Sequence, residues 1–150
     1  MKILVLCTGN SCRSQMAEGF FRHYFLKAGD NESAYAVRSA GLEPHGLNPM
    51  AVRVMAEAGI DISGHSSDHL DKYAKDKFDY VITVCDNAAA NCPVFPGKAK
   101  RLHWPFDDPA KVTGSEADIL TEFRRIRDEI EGTVRRWLSG LDRLAPDAIS

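Results

Sequence analysis

The stretch ILVLCTGNSCRSQMAEG near the start of the chain constrains the fold more than any other. An apolar run predicts a buried strand over Lys2–Leu6, and apolar residues at fourfold spacing predict a helix over Arg13–Lys27. In the turn that follows Cys7, Gly9 permits a tight backbone bend and Asn10 tolerates left-handed geometry. A loop that curls into a helix N-terminus points several N–H groups at one spot, so this turn is predicted to form an anion-binding nest.

The remainder of the chain alternates strand and helix patterns. Further strands are predicted over Ala34–Ser39, Phe78–Cys85 and Lys100–Leu102, and further helices over Asn48–Ala58 and along an apolar stripe from Ile119 to Leu141. This alternation implies right-handed βαβ crossovers. We therefore expect one α/β domain over residues 1–150, with a four-stranded, mostly parallel sheet, helices on both faces and a frayed tail over about 140–150.

Composition and charge narrow the class of protein. A net charge of −2 argues against a general nucleic-acid binder, and acidic residues interleave the arginines near the C-terminus, as on a solvated helix face. The apolar run after Lys2 is shorter than the roughly 7–15 residues of a secretory signal, and no stretch approaches the roughly 18 apolar residues of a membrane span. We expect a cytoplasmic protein with no membrane partner, and nothing in the sequence demands more than a monomer.

Four cysteines in a reducing compartment point to catalysis, metal binding or transient redox chemistry rather than a disulfide framework. The Cys7/Cys12 and Cys85/Cys92 spacings both miss the usual zinc pattern, and His65 and His69 are expected to be solvent-exposed loop histidines, because no third metal ligand is evident near them. Ligands bind outside the carboxyl ends of parallel strands, and both Cys7 and Cys85 are predicted at strand ends. The two thiols are therefore expected at the same edge of the sheet.

The chemistry of the loop depends on Cys7 and Arg13. The guanidinium of Arg13 matches two oxygens of a tetrahedral oxyanion, and Cys7 would lie beneath that anion. The same N–H groups and positive charge favour the thiolate, which is the nucleophilic form. Ser14 or Ser11 is expected to donate a hydrogen bond to the sulfur, and Cys12 is interpreted as a small residue that fills the nest.

Five motifs together identify a family. VLCTGNSCRSQMAEG resembles the phosphate-binding loop of the low-molecular-weight protein tyrosine phosphatase fold, and specifically that of the arsenate reductases built on it. SAGLEPHGLNPMA, GIDISGHSSD, VITVCDNAAANCP and HWPFDDPA resemble the same reductases, in the same order, and cover the chain to about Leu138. The resemblance places the oxyanion-binding loop, which follows strand 1, at Thr8, Gly9, Asn10, Ser11, Cys12, Arg13 and Ser14.

The resemblance implies reduction of arsenate to arsenite. Cys7 attacks arsenate, Cys85 attacks Cys7 and expels arsenite, and Cys92 then takes over the disulfide from Cys7–Cys85. The DNAAAN segment between the last two thiols is expected to form a helical turn that unwinds. The resemblance also assigns the general acid to Asp108 of the Asp-Pro pair, while Asp107 is expected to be a solvated loop charge.

Partners and cofactors follow from the same resemblance. Its thioredoxin-coupled branch has three matching cysteines, so thioredoxin is the expected reductant, although other branches use glutaredoxin or mycothiol. No cofactor is required. Potassium is a candidate ligand of that branch at Asn10, Glu18, Ser39 and Asp68, with a polar cluster that braces the loop as the equal alternative.

Two other functions stay open at this point. A phosphotyrosine phosphatase on the same fold typically has Tyr directly after Asp-Pro, where this chain has Ala110, and leaves Cys92 without a role. Weak residual phosphatase activity is expected in either case. The second alternative is a non-enzymatic thiol redox sensor, which would form a reversible disulfide and make no catalytic use of Asp108.

Overall fold

A computed structural model, which describes residues 1–30 and 34–141, contains one sheet of four strands. The strands are β1 (Lys2–Cys7), β2 (Ala36–Gly41), β3 (Tyr80–Thr83) and β4 (Lys100–His103). Their order is β2–β1–β3–β4 and every pairing is parallel. The predicted four-stranded α/β fold is confirmed, and the sheet is fully rather than mostly parallel.

The central strand β1 is buried on both sides. Ile3, Leu4, Val5 and Leu6 are each at most 1% exposed. Because successive strand residues point to opposite faces, both faces of the sheet are covered. The register places Cys7 opposite Gly41, so the end of β2 lies beside the first residue of the anion-binding turn.

In the part of the chain that the structure describes, four α-helices and two short 3₁₀ helices connect and cover the strands. They are α1 (Arg13–Lys27), α2 (Pro49–Glu57), α3 (Asp86–Ala90) and α4 (Glu116–Gly140), with 3₁₀ turns at Leu70–Tyr73 and Pro109–Lys111. The helix predicted over Arg13–Lys27 is confirmed, and so is the helical turn between Cys85 and Cys92. The predicted frayed tail lies, beyond Leu141, outside the described residues.

Several element boundaries differ from the prediction by one to three residues, for example β2, which spans Ala36–Gly41 instead of Ala34–Ser39. Two of the differences have clear local reasons. The strand predicted over Phe78–Cys85 is shorter, because Cys85 leaves the ladder to become the N-cap of α3. Helix α4 begins before the apolar stripe at Ile119, because Ser115 and Asp118 form a reciprocal capping box.

Helix α4 also packs against α2 through arginines that were expected to be solvated. Arg127 donates to the Val54 carbonyl and to Glu57, and its side chain is only 14% exposed. Arg124 forms a two-point pair with Glu57, and these bonds lower the pKa of that carboxyl to about 2. The expected solvated arginine face therefore holds for Arg125, whose side chain is 49% exposed, but is wrong for Arg127. None of the helices in residues 1–30 and 34–141 combines the length and apolar character needed to cross a bilayer.

Candidate active site

The turn between β1 and α1 wraps around the sulfur of Cys7. Cys7 is the last residue of β1 and is 3% exposed. Asn10 has a φ of 46°, which is unusual for a residue other than glycine and makes the loop bend back toward the strand end. Its backbone N–H donates to Cys7 Sγ over 3.1 Å. The loop geometry therefore directs a hydrogen-bond donor at the predicted nucleophile.

Ser14 supplies a second donor to the same sulfur. Ser14 Oγ lies 3.0 Å from Cys7 Sγ and accepts a hydrogen bond from Asn10 Nδ2 over 2.8 Å. Because Asn10 occupies an acceptor site of that hydroxyl, the Ser14 hydrogen is free to point at the sulfur. Two hydrogen-bond contacts thus converge on the sulfur of the predicted nucleophile. Of the two serines proposed from sequence, the structure places Ser14 at the sulfur.

A cavity of about 390 Å³ opens above Cys7. Its wall includes six loop residues: Cys7, Thr8, Gly9, Ser11, Cys12 and Arg13. Of the loop residues predicted to bind the oxyanion, Asn10 and Ser14 do not line the cavity; both are fully buried behind it. They hold the loop and the sulfur rather than the space an anion would fill.

Asp108 lies across this cavity from the loop. Arg13 Nη2 is 3.6 Å from Asp108 Oδ2, while Arg13 Nη1 donates to the Phe106 carbonyl over 3.0 Å. The other carboxylate oxygen of Asp108 accepts from the backbone N–H of Ala110. Asp107 instead points outward to Arg125, with its side chain 80% exposed. The two adjacent carboxylates thus have separate environments, and only Asp108 faces the cavity.

Cys85 is joined to the loop through Thr8. Thr8 Oγ1 lies 3.3 Å from Cys85 Sγ, and Asn87 Nδ2 donates to the same hydroxyl over 3.0 Å. Cys85 is buried and caps α3, accepting from the backbone N–H of Ala88 at 3.4 Å. The expectation that Cys7 and Cys85 lie at the same sheet edge holds in the structure, with Thr8 between them.

Cys92 lies at the other end of α3, away from this cavity. It is half-buried and lines a separate space of about 140 Å³ with Ala89, Thr83, Arg101 and His103. Burial raises the pKa of the Cys92 thiol, and the nearby positive charge of Arg101 opposes that rise. All four cysteines are free thiols in this structure.

The surroundings of Cys12 disfavour its thiolate, which is the reactive form of a cysteine. Burial raises the pKa of Cys12 to about 12, and the negative charge of Asp108 adds to that rise. It is the N-cap of α1 but makes no side-chain capping hydrogen bond. These observations fit the interpretation of Cys12 as a residue that fills the nest.

The four residues named as candidate potassium ligands form one hydrogen-bonded cluster. Ser39 Oγ accepts from Asn10 Nδ2 and donates to Glu18 Oε1 over 2.6 Å. The backbone N–H of Asp68 donates to Asn10 Oδ1 over 2.8 Å. The cluster therefore braces the strained residue of the loop, which was the alternative interpretation from sequence.

His65 belongs to the edge of that cluster, whereas the sequence predicted an exposed loop histidine. Its side chain is only 16% exposed and its Nδ1 lies 3.1 Å from Gln15 Oε1. Burial lowers the pKa of His65. Gln15 in turn donates to the carbonyls of Asn10 and Ser66, so these side chains tie the 59–69 loop to the anion-binding turn.

Sequence reasoning missed several residues around the two cavities. His45, Asn87 and Lys111 line the space above Cys7, and His103 lies beside Asp86 at the start of α3. The only available signal was their place after predicted strands or inside motifs, which does not say where a side chain points.

Comparisons with known proteins agree with this geometry. The sequence profile of the family described as low molecular weight phosphotyrosine protein phosphatase matches residues 2–146. An arsenate reductase of Halalkalibacterium halodurans is 52% identical over 135 residues, which is 90% of this chain and 93% of that protein.

Two solved structures share the fold, one named as a phosphatase and one as an arsenate reductase. A low molecular weight protein tyrosine phosphatase from T. tengcongensis is 25% identical, with a TM-score of 0.75, 93% of this chain and 99% of that one covered. A thioredoxin-dependent arsenate reductase of Corynebacterium glutamicum is 29% identical, with a TM-score of 0.66, covering 94% of this chain and 61% of that one.

Replacing Gly41 tests whether the strand end shapes the anion-binding loop. A Cβ at Gly41 would lie 2.6 Å from the Thr8 carbonyl oxygen and 2.9 Å from the Asn10 nitrogen, so the loop backbone must shift. We expect Gly41→Ala to lose about 1–3 kcal/mol of unfolding free energy and to weaken binding of inorganic phosphate at least tenfold, measured by calorimetry. Gly64→Ala, where a Cβ meets open space, is the matched control. Unchanged phosphate affinity in folded Gly41→Ala would contradict the geometry.

Proposed function

The chain belongs to the low molecular weight phosphotyrosine protein phosphatase family and, within it, to the arsenate reductases, and on that premise we propose that it reduces arsenate to arsenite through three thiols. The family resemblance predicted from five motifs is confirmed. The observation that carries the proposal is the hydrogen bond between Thr8 and Cys85. It joins a second buried thiol to the loop that surrounds the first.

The first step is attack by Cys7 on arsenic. The Cys7 thiolate, held by the Asn10 N–H and the Ser14 hydroxyl, forms a sulfur–arsenic bond, and one arsenate oxygen departs. Backbone N–H groups of the loop and the Arg13 guanidinium bind the remaining oxygens. The product is a thiol–arsenate adduct on Cys7.

Asp108 is proposed to protonate the departing oxygen. Its position across the cavity from Cys7 suits a general acid, because the leaving oxygen lies opposite the attacking sulfur. In this structure Asp108 faces Arg13. An arsenate oxyanion bound in the loop would compete for that guanidinium and free the carboxyl for proton transfer. The departing oxygen leaves as water.

Reduction occurs when Cys85 attacks the sulfur of Cys7. A Cys85–Cys7 disulfide forms, the sulfur–arsenic bond breaks, and its electron pair leaves with arsenic as arsenite. The two thiols supply the two electrons that the change from arsenate to arsenite requires. A phosphatase has no need of this step, since water completes its reaction.

Cys92 then attacks Cys85 and releases Cys7. From its N-cap Cys85 to its C-cap Asn91, helix α3 rises by about 9 Å, and Cys92 lies one residue beyond. A disulfide allows only about 4.4–6.8 Å between Cα atoms. Helix α3 must therefore unwind for the Cys85–Cys92 disulfide to form. Because Cys92 is half-buried and outside the Cys7 cavity, this transfer moves the disulfide to a place that a protein reductant can reach.

Thioredoxin is the proposed reductant of that disulfide. The three-thiol pattern, and the thioredoxin dependence named for the C. glutamicum relative, support it over glutaredoxin. The relay begins with free thiols, which a reducing compartment such as the cytoplasm maintains, so we place the protein there. A monomer suffices, because all three thiols come from one chain.

Potassium is proposed as an accessory ion rather than a reactant. Oxygen atoms of Asn10, Glu18, Ser39 and Asp68 suit a hard cation, and the last three line one cavity of about 260 Å³. Arg22 and Lys72 already face the two carboxylates, at 2.8 Å and 3.5 Å, so a bound ion would compete with them. Its effect would be to stabilise the loop through Asn10.

Phosphatase activity is the second candidate, because the nest, Cys7 and Asp108 serve a phosphate ester equally well. The wall of the cavity contains Ala110 at the position after Asp-Pro, and this small residue offers no ring to hold an aryl group. We therefore expect only weak hydrolysis of aryl phosphates. A redox sensor without turnover would instead show no dependence on Asp108.

The three-thiol relay is tested by coupled turnover. With arsenate, thioredoxin, thioredoxin reductase and NADPH, we expect arsenate-dependent NADPH oxidation that Cys7→Ser, Cys85→Ser and Cys92→Ser each abolish. Cys92→Ser should still release one arsenite per chain, because the Cys7–Cys85 disulfide can form. Full multiple turnover by Cys92→Ser would show that the relay is wrong. Of the three variants, only Cys7→Ser should lose the hydrolysis of aryl phosphates.

The adjacent carboxylates provide a matched pair for the acid. We expect Asp108→Asn to slow arsenite release in a single turnover by about 10²–10⁴-fold. Asp107→Asn should stay near the parent rate, because Asp107 is exposed and pairs with Arg125 outside the cavity. Equal rates for the two variants in stopped single-turnover assays would remove Asp108 from the mechanism.

The potassium site is tested by thermal unfolding in matched chloride salts. An ion bound only to the folded chain raises the melting temperature, by about 2–4 °C for each kcal/mol of binding free energy. We expect potassium to raise it above the value in sodium, and Asp68→Asn to abolish the difference. Asp71→Asn, an exposed carboxylate nearby, should retain it. Identical melting in both salts would favour the polar cluster alone.

A further inference from the structure

Strand β4 contacts both ends of the segment that carries the last two thiols. His103 Nε2 lies 2.8 Å from Asp86 Oδ1, directly after Cys85. Arg101 Nη2 donates over 2.6 Å to the carbonyl of Pro93, directly after Cys92. The relay segment, residues 85–93, is thus held near each of its thiols by one side chain from the same strand.

The two side chains share a face of β4. Residues two apart in a strand point the same way, and Arg101 and His103 line the same small cavity as Cys92. Both side chains therefore reach the relay segment from one side of the strand.

The His103 ring is itself fixed from behind by β3. Thr83 Oγ1 lies 2.8 Å from His103 Nδ1, and Thr83 is buried. Because the Asp86 carboxylate only accepts hydrogen bonds, Nε2 donates to it, and in the neutral ring Nδ1 accepts from the Thr83 hydroxyl. The ring orientation therefore does not depend on the exposed Asp86 side chain.

We propose that Arg101 and His103 are positioning residues for the Cys85–Cys92 disulfide, because they anchor both ends of the relay segment to β4 and so limit how far the two thiols can separate while α3 unwinds. This inference rests on the proposed relay, in which those two thiols pair. In that exchange Cys92 attacks Cys85, the Cys85–Cys92 bond forms, and Cys7 departs as a thiolate with no net change in oxidation state.

The electrostatics around Cys92, at the C-terminal end of the relay segment, agree with this role. The guanidinium of Arg101 opposes the rise that burial imposes on the pKa of the Cys92 thiol. Arg101 thus favours the attacking thiolate while its hydrogen bond fixes the neighbouring Pro93 carbonyl. An alternative is that the same contacts lock α3 in its helical form, which would oppose the disulfide instead of assisting it.

A redox titration in a Cys7→Ser background separates these roles without arsenate. The equilibrium between the reduced thiols and the Cys85–Cys92 disulfide is measured against dithiothreitol by alkylation and mass spectrometry. We expect Arg101→Met and His103→Gln each to lower the effective concentration of the thiol pair about threefold, and the double variant about tenfold. Arg101→Lys, which keeps the charge and a donor, should restore at least half of the loss.

Lys100→Ala is the matched control, since it removes a charge from the same strand where the side chain lies over the Tyr80 ring. Asp86→Ala removes the acceptor of the His103 contact from its exposed side and serves if His103→Gln fails to fold. Unchanged effective concentrations in the variants, or a rise as a helix lock predicts, would overturn the proposal. Absence of any Cys85–Cys92 disulfide in the Cys7→Ser parent would instead overturn the relay.

Discussion

The hydrogen bonds of Asn10 are the interaction on which the rest of the site depends. A buried non-glycine residue at a φ of 46° persists only where its surroundings hold it. Asn10 donates to Ser14 and Ser39 through its amide and accepts from the Asp68 backbone. These bonds connect the first helix, the second strand and the 59–69 loop to one residue, and that residue aims its own N–H at Cys7.

This loop holds the first thiol through several hydrogen bonds, whereas the other two thiols flank a short helix with less support. Cys7 is fully supported by β1 and by the loop, whereas Cys85 lies at the junction of a strand and the five-residue helix α3. Helix α3 has one buried residue, Ala88, so little apolar packing opposes its unwinding. This difference in support suits a reaction in which the anion is held in place at Cys7 while the disulfide is transferred from Cys7–Cys85 to Cys85–Cys92.

Much of this arrangement was predictable from short-range patterns. The strand–turn–helix at Cys7, the length of α1, the helical turn between Cys85 and Cys92, and the parallel sheet all follow from periodicity and turn chemistry. Placing Cys7 and Cys85 at one sheet edge needed only the rule for parallel strands. His65 and Arg127 were misjudged, because a polar residue in a loop or on a helix gives no sign of the partner that buries it.

The sequence by itself determined the family, the sheet and which residue types surround the anion. These features depend on local backbone preferences and on short motifs that are contiguous in the chain. Only the tertiary structure decided which serine faces the sulfur, which of two adjacent aspartates faces the cavity, and that β4 contacts both ends of the thiol segment. Each of those outcomes depends on side-chain direction across elements far apart in the chain. Such directions are set by packing between elements, which no local pattern encodes.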